Sequence, residues 1–217
     1  MWWDMAADVR GDFQDWHAHE HFPERLGIPG FRRASRWSSA DGGEGVFVLY
    51  ELEDFDVLSS PAYASRLNAP TPWSTRLMPH HRNMVRSQCR VLESAGGVTG
   101  QAVLAVRLSP SPGQADRLRD AVRELAGPLR ERPGLVGLHL LRHEPPPIPP
   151  TREQAIRGNA DRFADHVLLA CGYDPRAVAA LMDGELSAPA LHAAGAAAEM
   201  EHQLYQLAYS ATPADMR

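Results

Sequence analysis

Pro-Gly followed by an apolar residue occurs at two places in the chain: Pro29-Gly30-Phe31 in RLGIPGFRRASRW and Pro133-Gly134-Leu135 in RERPGLVGLHLLRHE. A helix-like segment precedes each and a strand-like segment follows. The chain therefore reads as one supersecondary unit written twice. In the first half, Phe13, Trp16, Phe22 and Leu26 space GDFQDWHAHEHFPERL as a helix packed on one side. FRRASRW and EGVFVLYELED read as strands, SSPAYASRLN as a helix opened by Pro61, and HRNMVRSQCRVLES as a further strand. The short MWWDMA supplies the opening strand.

The second half repeats the order. GQAVLAVRLSP is a strand, and GQADRLRDAVRELAGPLRER is an amphipathic helix with Leu118, Val122, Leu125 and Leu129 at steps of three and four. LVGLHLLRH and DHVLLACGY are strands, DPRAVAALMDGE is a helix capped by Asp174-Pro175, and EMEHQLYQLAYSA is a strand. Strand-helix-strand-strand-helix-strand is the ferredoxin-like unit. The expected fold is α+β: two tandem ferredoxin-like (βαββαβ) repeats, residues 1–94 and 101–213, closing into one α/β barrel with the helices outside. ESAGGVTGQ is the linker. The proline cluster in EPPPIPPTREQAIRGNADRF interrupts the second repeat, so an insert near 145–162 is expected outside the sheet, as a mobile excursion or as a cover over a site.

The 217 residues, 44% hydrophobic and 23% charged, are enough for a sizeable core. A net charge of -5 points away from nucleic acid. Neither a signal-like start nor a run of the roughly 18 apolar residues of a membrane span is present, so a cytoplasmic protein with no membrane association is expected. Cys89 and Cys171 both fall in strands and read as free thiols rather than a disulfide framework. The phosphate-loop and dinucleotide glycine patterns are missing, as is the G-x-S-x-G elbow, which argues against nucleotide hydrolysis, dinucleotide redox chemistry and a standard serine hydrolase.

DWHAHEHF carries three histidines within five positions. On a helix His17 and His21 share a face, Glu20 lies three residues from His17, and His19 points away. The order His-x-x-Glu-His matches an inverzincin pattern, but zinc needs a third ligand, for which His80, His81, Glu51 or Cys89 are available. The reading preferred is proton transfer: imidazole titrates near neutrality, so His21 serves as general acid or base, with His17 and Glu20 orienting it. The alternative for all three is a surface helix whose histidines pack on Trp16 and Phe22. Arg82, Met84, Arg86, Gln88 and Arg90 alternate along one strand face, where Arg86 suits an oxyanion or a salt bridge to Glu51 or Glu53. The loop NAPTPWSTRLMPHH offers Trp73 and His81 as pocket walls; Tyr50 is either core or a substrate contact.

WHAHEHFPERLGIPGFRRASRW resembles the EthD-like branch of the dimeric α/β-barrel superfamily, through Trp16, Glu20, His21, Pro23, Arg25, Pro29, Gly30 and Phe31. The resemblance covers residues 12 to 90; the second half shares only the element order. It implies the barrel fold and a site at the histidine helix, within a superfamily that includes isomerases, polyketide cyclases and decarboxylases, cofactor-free monooxygenases and haem enzymes. A tandem chain would close the barrel alone where single-repeat relatives need a dimer; a homodimer is left open. The expectation is a small-molecule enzyme performing cofactor-independent proton transfer on a largely apolar, aromatic or polyketide-like metabolite. The rivals are a haem- or transition-metal-dependent enzyme on the same fold and a non-catalytic ligand-binding protein.

Overall fold

The computed structural model describes residues 1–158 and 161–216. The strands are β1 (Trp2–Asp4), β2 (Phe31–Ser39), β3 (Gly45–Leu52), β4 (Arg82–Val85), β5 (Cys89–Gly96), β6 (Ala102–Pro110), β7 (Leu135–His143), β8 (His166–Gly172) and β9 (Ala196–Ala211). The helices are α1 (Arg10–Trp16), α2 (Phe22–Leu26), α3 (Pro61–Asn68), α4 (Pro72–Leu77), α5 (Ala115–Glu131), α6 (Arg152–Ile156), α7 (Pro175–Ala180) and α8 (Ala188–Ala193). The strands form one sheet in the order β4-β1-β3-β2-β9-β6-β8-β7-β5, with every neighbouring pair antiparallel. Counted within its own half, β4-β1-β3-β2 and β9-β6-β8-β7 follow the same ferredoxin-like order, and the two meet where β2 pairs with β9.

The twin Pro-Gly landmarks are twin turns. Phe31 donates to the Ile28 carbonyl at 3.1 Å and Leu135 to the Arg132 carbonyl at 3.1 Å. Gly30 and Gly134 hold φ of 92° and 90°. Proline followed by a positive-φ glycine is the type II pattern, and it delivers the chain from helix to strand the same way in both halves.

The barrel does not close by hydrogen bonds. HRNMVRSQCRVLES, read as one strand, is two: β4 pairs with β1 at one edge of the sheet and β5 with β7 at the other. Only residues 86–88 lie between them, so the sheet must curl until its edges face each other across a seam. Part of the linker, Glu93–Gly96, belongs to β5. The seam is patched from the insert, where Arg162 bridges Val85 in parallel and Ser87 hydroxyl donates to the Ala164 carbonyl at 3.0 Å. The expectation that residues 145–162 stay outside the sheet therefore fails at Arg162. The proline cluster itself is in no strand, and residues 159 and 160 of that expected insert lie outside the described residues. The insert carries α6, opened by a capping box between Thr151 and Gln154.

Apolar side chains fill both faces of the curled sheet. Trp2 and Trp37 stack on Phe47 inside the curl, with Tyr205 tilted against it and Val103, Val167, Leu169 and Cys171 around them. Under α5, Leu118, Val122, Ala126 and Leu129 pack on Leu104, Leu138, Leu140 and Leu168. The matching position over the first half is different. There the buried face of the helix from Arg10 to Leu26 includes His17, His21 and Arg25 beside Phe13, Trp16 and Phe22.

Candidate functional site

The first helix is continuous but not uniformly α. Residues His17–His21 form a π turn, in which the Phe22 N–H reaches the His17 carbonyl. Pro23 has no N–H to offer the carbonyl four residues back, and the bond pattern slips by one residue just ahead of it. The wider turn keeps His17 and His21 on the buried side with ring centroids 5.2 Å apart and nearly parallel, while His19 is exposed. His21 also lies against Trp16, at 4.4 Å between centroids.

These histidines wall a cavity of about 680 Å³. Trp3, Trp16, Met78 and His81 close it on the helix side, with His81 4.7 Å from Trp3. Arg25, Glu153 and Arg157 form its polar roof; Arg25 and Glu153 make a buried ion pair that fastens α6 over the cavity. Arg157 in turn pairs with Asp161 at 2.8 Å. The insert is thus a cover, tied down further by Ile148 and Ile156 in apolar clusters.

Tyr50 and Glu51 are neighbours on β3 and so point to opposite faces of the sheet, yet both line the cavity. The cavity passes the edge of β3. Strand β1 is only Trp2–Asp4 and covers Gly45 to Phe47, with Met1 hydrogen-bonded to Val48. Beyond Val48, among the described residues, β3 has a strand neighbour only on the β2 side. Through this gap the helix-side chamber joins the inside of the curl, where Leu49, Cys89, Ser94, His139, Leu141, Val167 and Leu169 line the wall.

Several polar atoms in the helix-side chamber are buried without a partner among the described residues: Nδ1 of His17 and of His21, both ring nitrogens of His81, the Tyr50 hydroxyl and one Arg25 guanidinium nitrogen. Each such atom costs about 1–3 kcal/mol unless a polar group meets it. Burial, reinforced by nearby arginines and histidines, holds His17 and His21 well below the usual imidazole range. Burial takes His81 down to about 3. All three are neutral at physiological pH. Burial also pushes the Tyr50 hydroxyl up, so it stays protonated. The chamber therefore offers the Arg25 guanidinium, paired with Glu153 but with one donor free, a phenol and neutral imidazoles against aromatic walls.

His17, His21, Tyr50, His81 and Arg86 line this cavity. Arg86 donates to the Tyr63 hydroxyl at 3.0 Å and to Gln88 at 3.3 Å; Glu51 and Glu53 pair with Arg33 and Arg32 instead. Glu20 and Trp73 are not brought to the cavity. Glu20 turns toward the start of α4, accepting from Trp16 Nε1 at 3.0 Å and from the Thr71 hydroxyl, so it orients neither histidine. Trp73 donates to Asp12 at 2.9 Å on the outer side. No three His, Cys, Asp or Glu side chains among the described residues are grouped to hold a metal. The sequence reading missed Arg25 as a cavity group, although it lies four residues after His21. It also missed Glu153, Ser94 and His139. The capping box around Glu153 was visible as TREQ; the lone histidine in LVGLHLL was the signal for His139.

Residues 102–149, β6 through the start of the insert, match the family of antibiotic biosynthesis monooxygenases. That stretch is less than half of the chain and lies in the half without the histidine motif; none of the comparisons bears on the EthD-like branch. No curated protein sequence matches the chain. Among solved structures, an anthrone oxidase-like protein superposes with a TM-score of 0.63 at 13% identity, covering 98% of this chain and 91% of that one. A proposed monooxygenase of Lactobacillus acidophilus gives 0.61 at 8% identity, covering 98% and 93%. One of Fusobacterium nucleatum gives 0.60 at 8%, covering 97% and 91%. No helix among the described residues is long and apolar enough to cross a membrane. The chain is thus similar, across nearly its whole length, to the α+β ferredoxin-like fold these proteins share.

Proposed function

We propose that the chain is a small-molecule enzyme that deprotonates a flat, largely apolar ketone or phenol in the helix-side chamber and lets dioxygen oxidise the resulting enolate, without a metal or organic cofactor. The observation that supports this most directly is the meeting, in one covered cavity, of neutral unpartnered imidazoles with a free Arg25 donor and the Tyr50 hydroxyl. A neutral imidazole, His21 or its stacked neighbour His17, takes the proton from a carbon conjugated with the carbonyl. The electron pair moves to the carbonyl oxygen, where Arg25 and Tyr50 stabilise the developing charge. A lone imidazolium is disfavoured in this chamber; an imidazolium formed together with an enolate is an ion pair, which lowers that cost. Dioxygen then bonds to the carbanion carbon, and the imidazolium returns its proton to the outer oxygen, giving a hydroperoxide. Loss of water turns the methylene into a carbonyl, so the substrate is oxidised and dioxygen reduced with all atoms balanced. The name of one fold neighbour suggests anthrone as the first probe.

The test is oxygen uptake and quinone formation from anthrone in the presence of a chelator. His21→Ala should lower the rate about 10²-fold or more, the usual scale for loss of an acid–base group. His19→Ala should leave it within twofold. Absence of enzyme-dependent oxygen uptake, or a His17→Ala/His21→Ala variant that keeps full activity, overturns the reading.

A further inference from the structure

On the far side of the β3 edge the same cavity meets a second polar station, chemically the complement of the first. Ser94 on β5 and His139 on β7 face each other directly across the ladder, and both point into the curl. The Ser94 Oγ lies 2.8 Å from His139 Nδ1, and His139 Nε2 lies 3.1 Å from the Gly97 carbonyl. A carbonyl only accepts, so the hydrogen of this neutral imidazole must sit on Nε2. Nδ1 is then the acceptor, and the Ser94 hydroxyl must donate to it. With its one hydrogen committed, Ser94 Oγ presents only lone pairs to the cavity. Glu51, which lines the same wall, is a carboxylate already held by Arg33 at 3.1 Å and Thr99 at 3.4 Å, and it also only accepts. The walls between, Leu49, Leu141, Val167 and Leu169, are apolar.

The geometry points to a second ligand subsite at Ser94, His139 and Glu51, which takes a hydrogen-bond donor, a hydroxyl or amine, on the end of the ligand remote from its carbonyl. The first station, with Arg25, donates; the second, with Ser94, accepts. A ligand bridging them runs through the gap beside Tyr50 and Glu51 and carries an acceptor at one end, a flat apolar body and a donor at the other. This rests on the reading of the cavity as a ligand site given above, and it narrows the substrate class to hydroxylated or aminated polycyclic ketones. Ser94 and His139 act here as specificity-determining contacts, not as a nucleophile and its base.

The test uses two probes of nearly equal size, 2-hydroxyanthraquinone and 2-methylanthraquinone, titrated calorimetrically into the full chain and into Ser94→Ala. The hydroxylated probe should bind the unmodified chain more tightly. Ser94→Ala should weaken the hydroxylated probe about tenfold, the scale of one hydrogen bond in a covered site, and leave the methyl probe within twofold. Equal losses for both probes, or no loss for either, overturn the second subsite while leaving the first chamber standing. If neither probe binds the unmodified chain, both readings fall together. If the probes discriminate as expected but anthrone consumes no oxygen, the subsite holds and the oxygenation does not.

Discussion

At the scale of single residues, the chamber is lined by imidazoles that burial keeps neutral at rest. His17, His21 and His81 are buried as free bases, whereas in the unfolded chain each takes a proton near 6.5. Below that pH the unfolded state binds more protons than the folded one. Stability is therefore complete above about 6.5 and is lost as pH falls toward the folded values. Each histidine steepens the decline by up to about 1.4 kcal/mol per pH unit. Urea unfolding of the chain at a series of pH values from 8 to 4.5 should show this decline, and His81→Phe should make it shallower. A variant slope as steep as the original would mean that His81 takes no part. The spacing of His17, His19 and His21 was readable in the sequence because helical periodicity is local. The role of Glu20 was not, because its partners Thr71 and Ser74 are brought to it only by the folded chain.

At the scale of elements, the two turns and the insert carry the argument. A Cβ on Gly134 would lie 2.4 Å from Ala177 Cβ, and one on Gly30 2.4 Å from Val57 Cγ2, while Gly113, also at positive φ, has open space around it. Gly134→Ala should cost more than the about 1–2 kcal/mol of a strained left-handed residue, and Gly113→Ala no more than that. Denaturant midpoints of the two variants check the order. The insert is fastened differently, by one buried ion pair. Glu153→Gln leaves the Arg25 charge buried with its carboxylate partner gone, a change on the scale of about 3–5 kcal/mol when such a pair is broken. The expected outcome is faster hydrogen exchange at residues 152–156 with β3 amides unchanged; protection of α6 equal to that of the unmodified chain would show that Ile148 and Ile156 suffice. The insert's proline cluster was legible as a break in the sheet. The choice between a mobile excursion and a cover was left open, because the ion pair that decides it spans residues 25 and 153, and no local pattern reports such a pairing.

At the scale of the whole molecule, two copies of one strand order have diverged in what they bury. The second half fills the space under α5 with leucine, valine and alanine; the first keeps a cavity there and pairs it with neutral histidines. The repeated element order could be read from periodicity and turns. The division of β4 from β5 and the single continuous sheet could not, since strand pairing across the chain has no local signature. That continuity has a thermodynamic consequence. β2 and β9 pair from Ala34↔Ala211 to Ser39↔Tyr205, and β5 crosses from the first half to the far edge of the second, so the two four-stranded halves share one hydrogen-bonded sheet. The chain should unfold in one transition. Its probes are conveniently segregated: all five tryptophans, at positions 2, 3, 16, 37 and 73, lie in the first half, and the buried Cys171 lies in the second. Tryptophan fluorescence and Cys171 thiol labelling, the latter in a Cys89→Ala background, should give the same urea midpoint, and far-ultraviolet circular dichroism should coincide with both. If Cys171 becomes reactive well before or after the tryptophan signal changes, the halves unfold as separate units, and the β2–β9 junction is an interface between domains rather than the middle of one sheet.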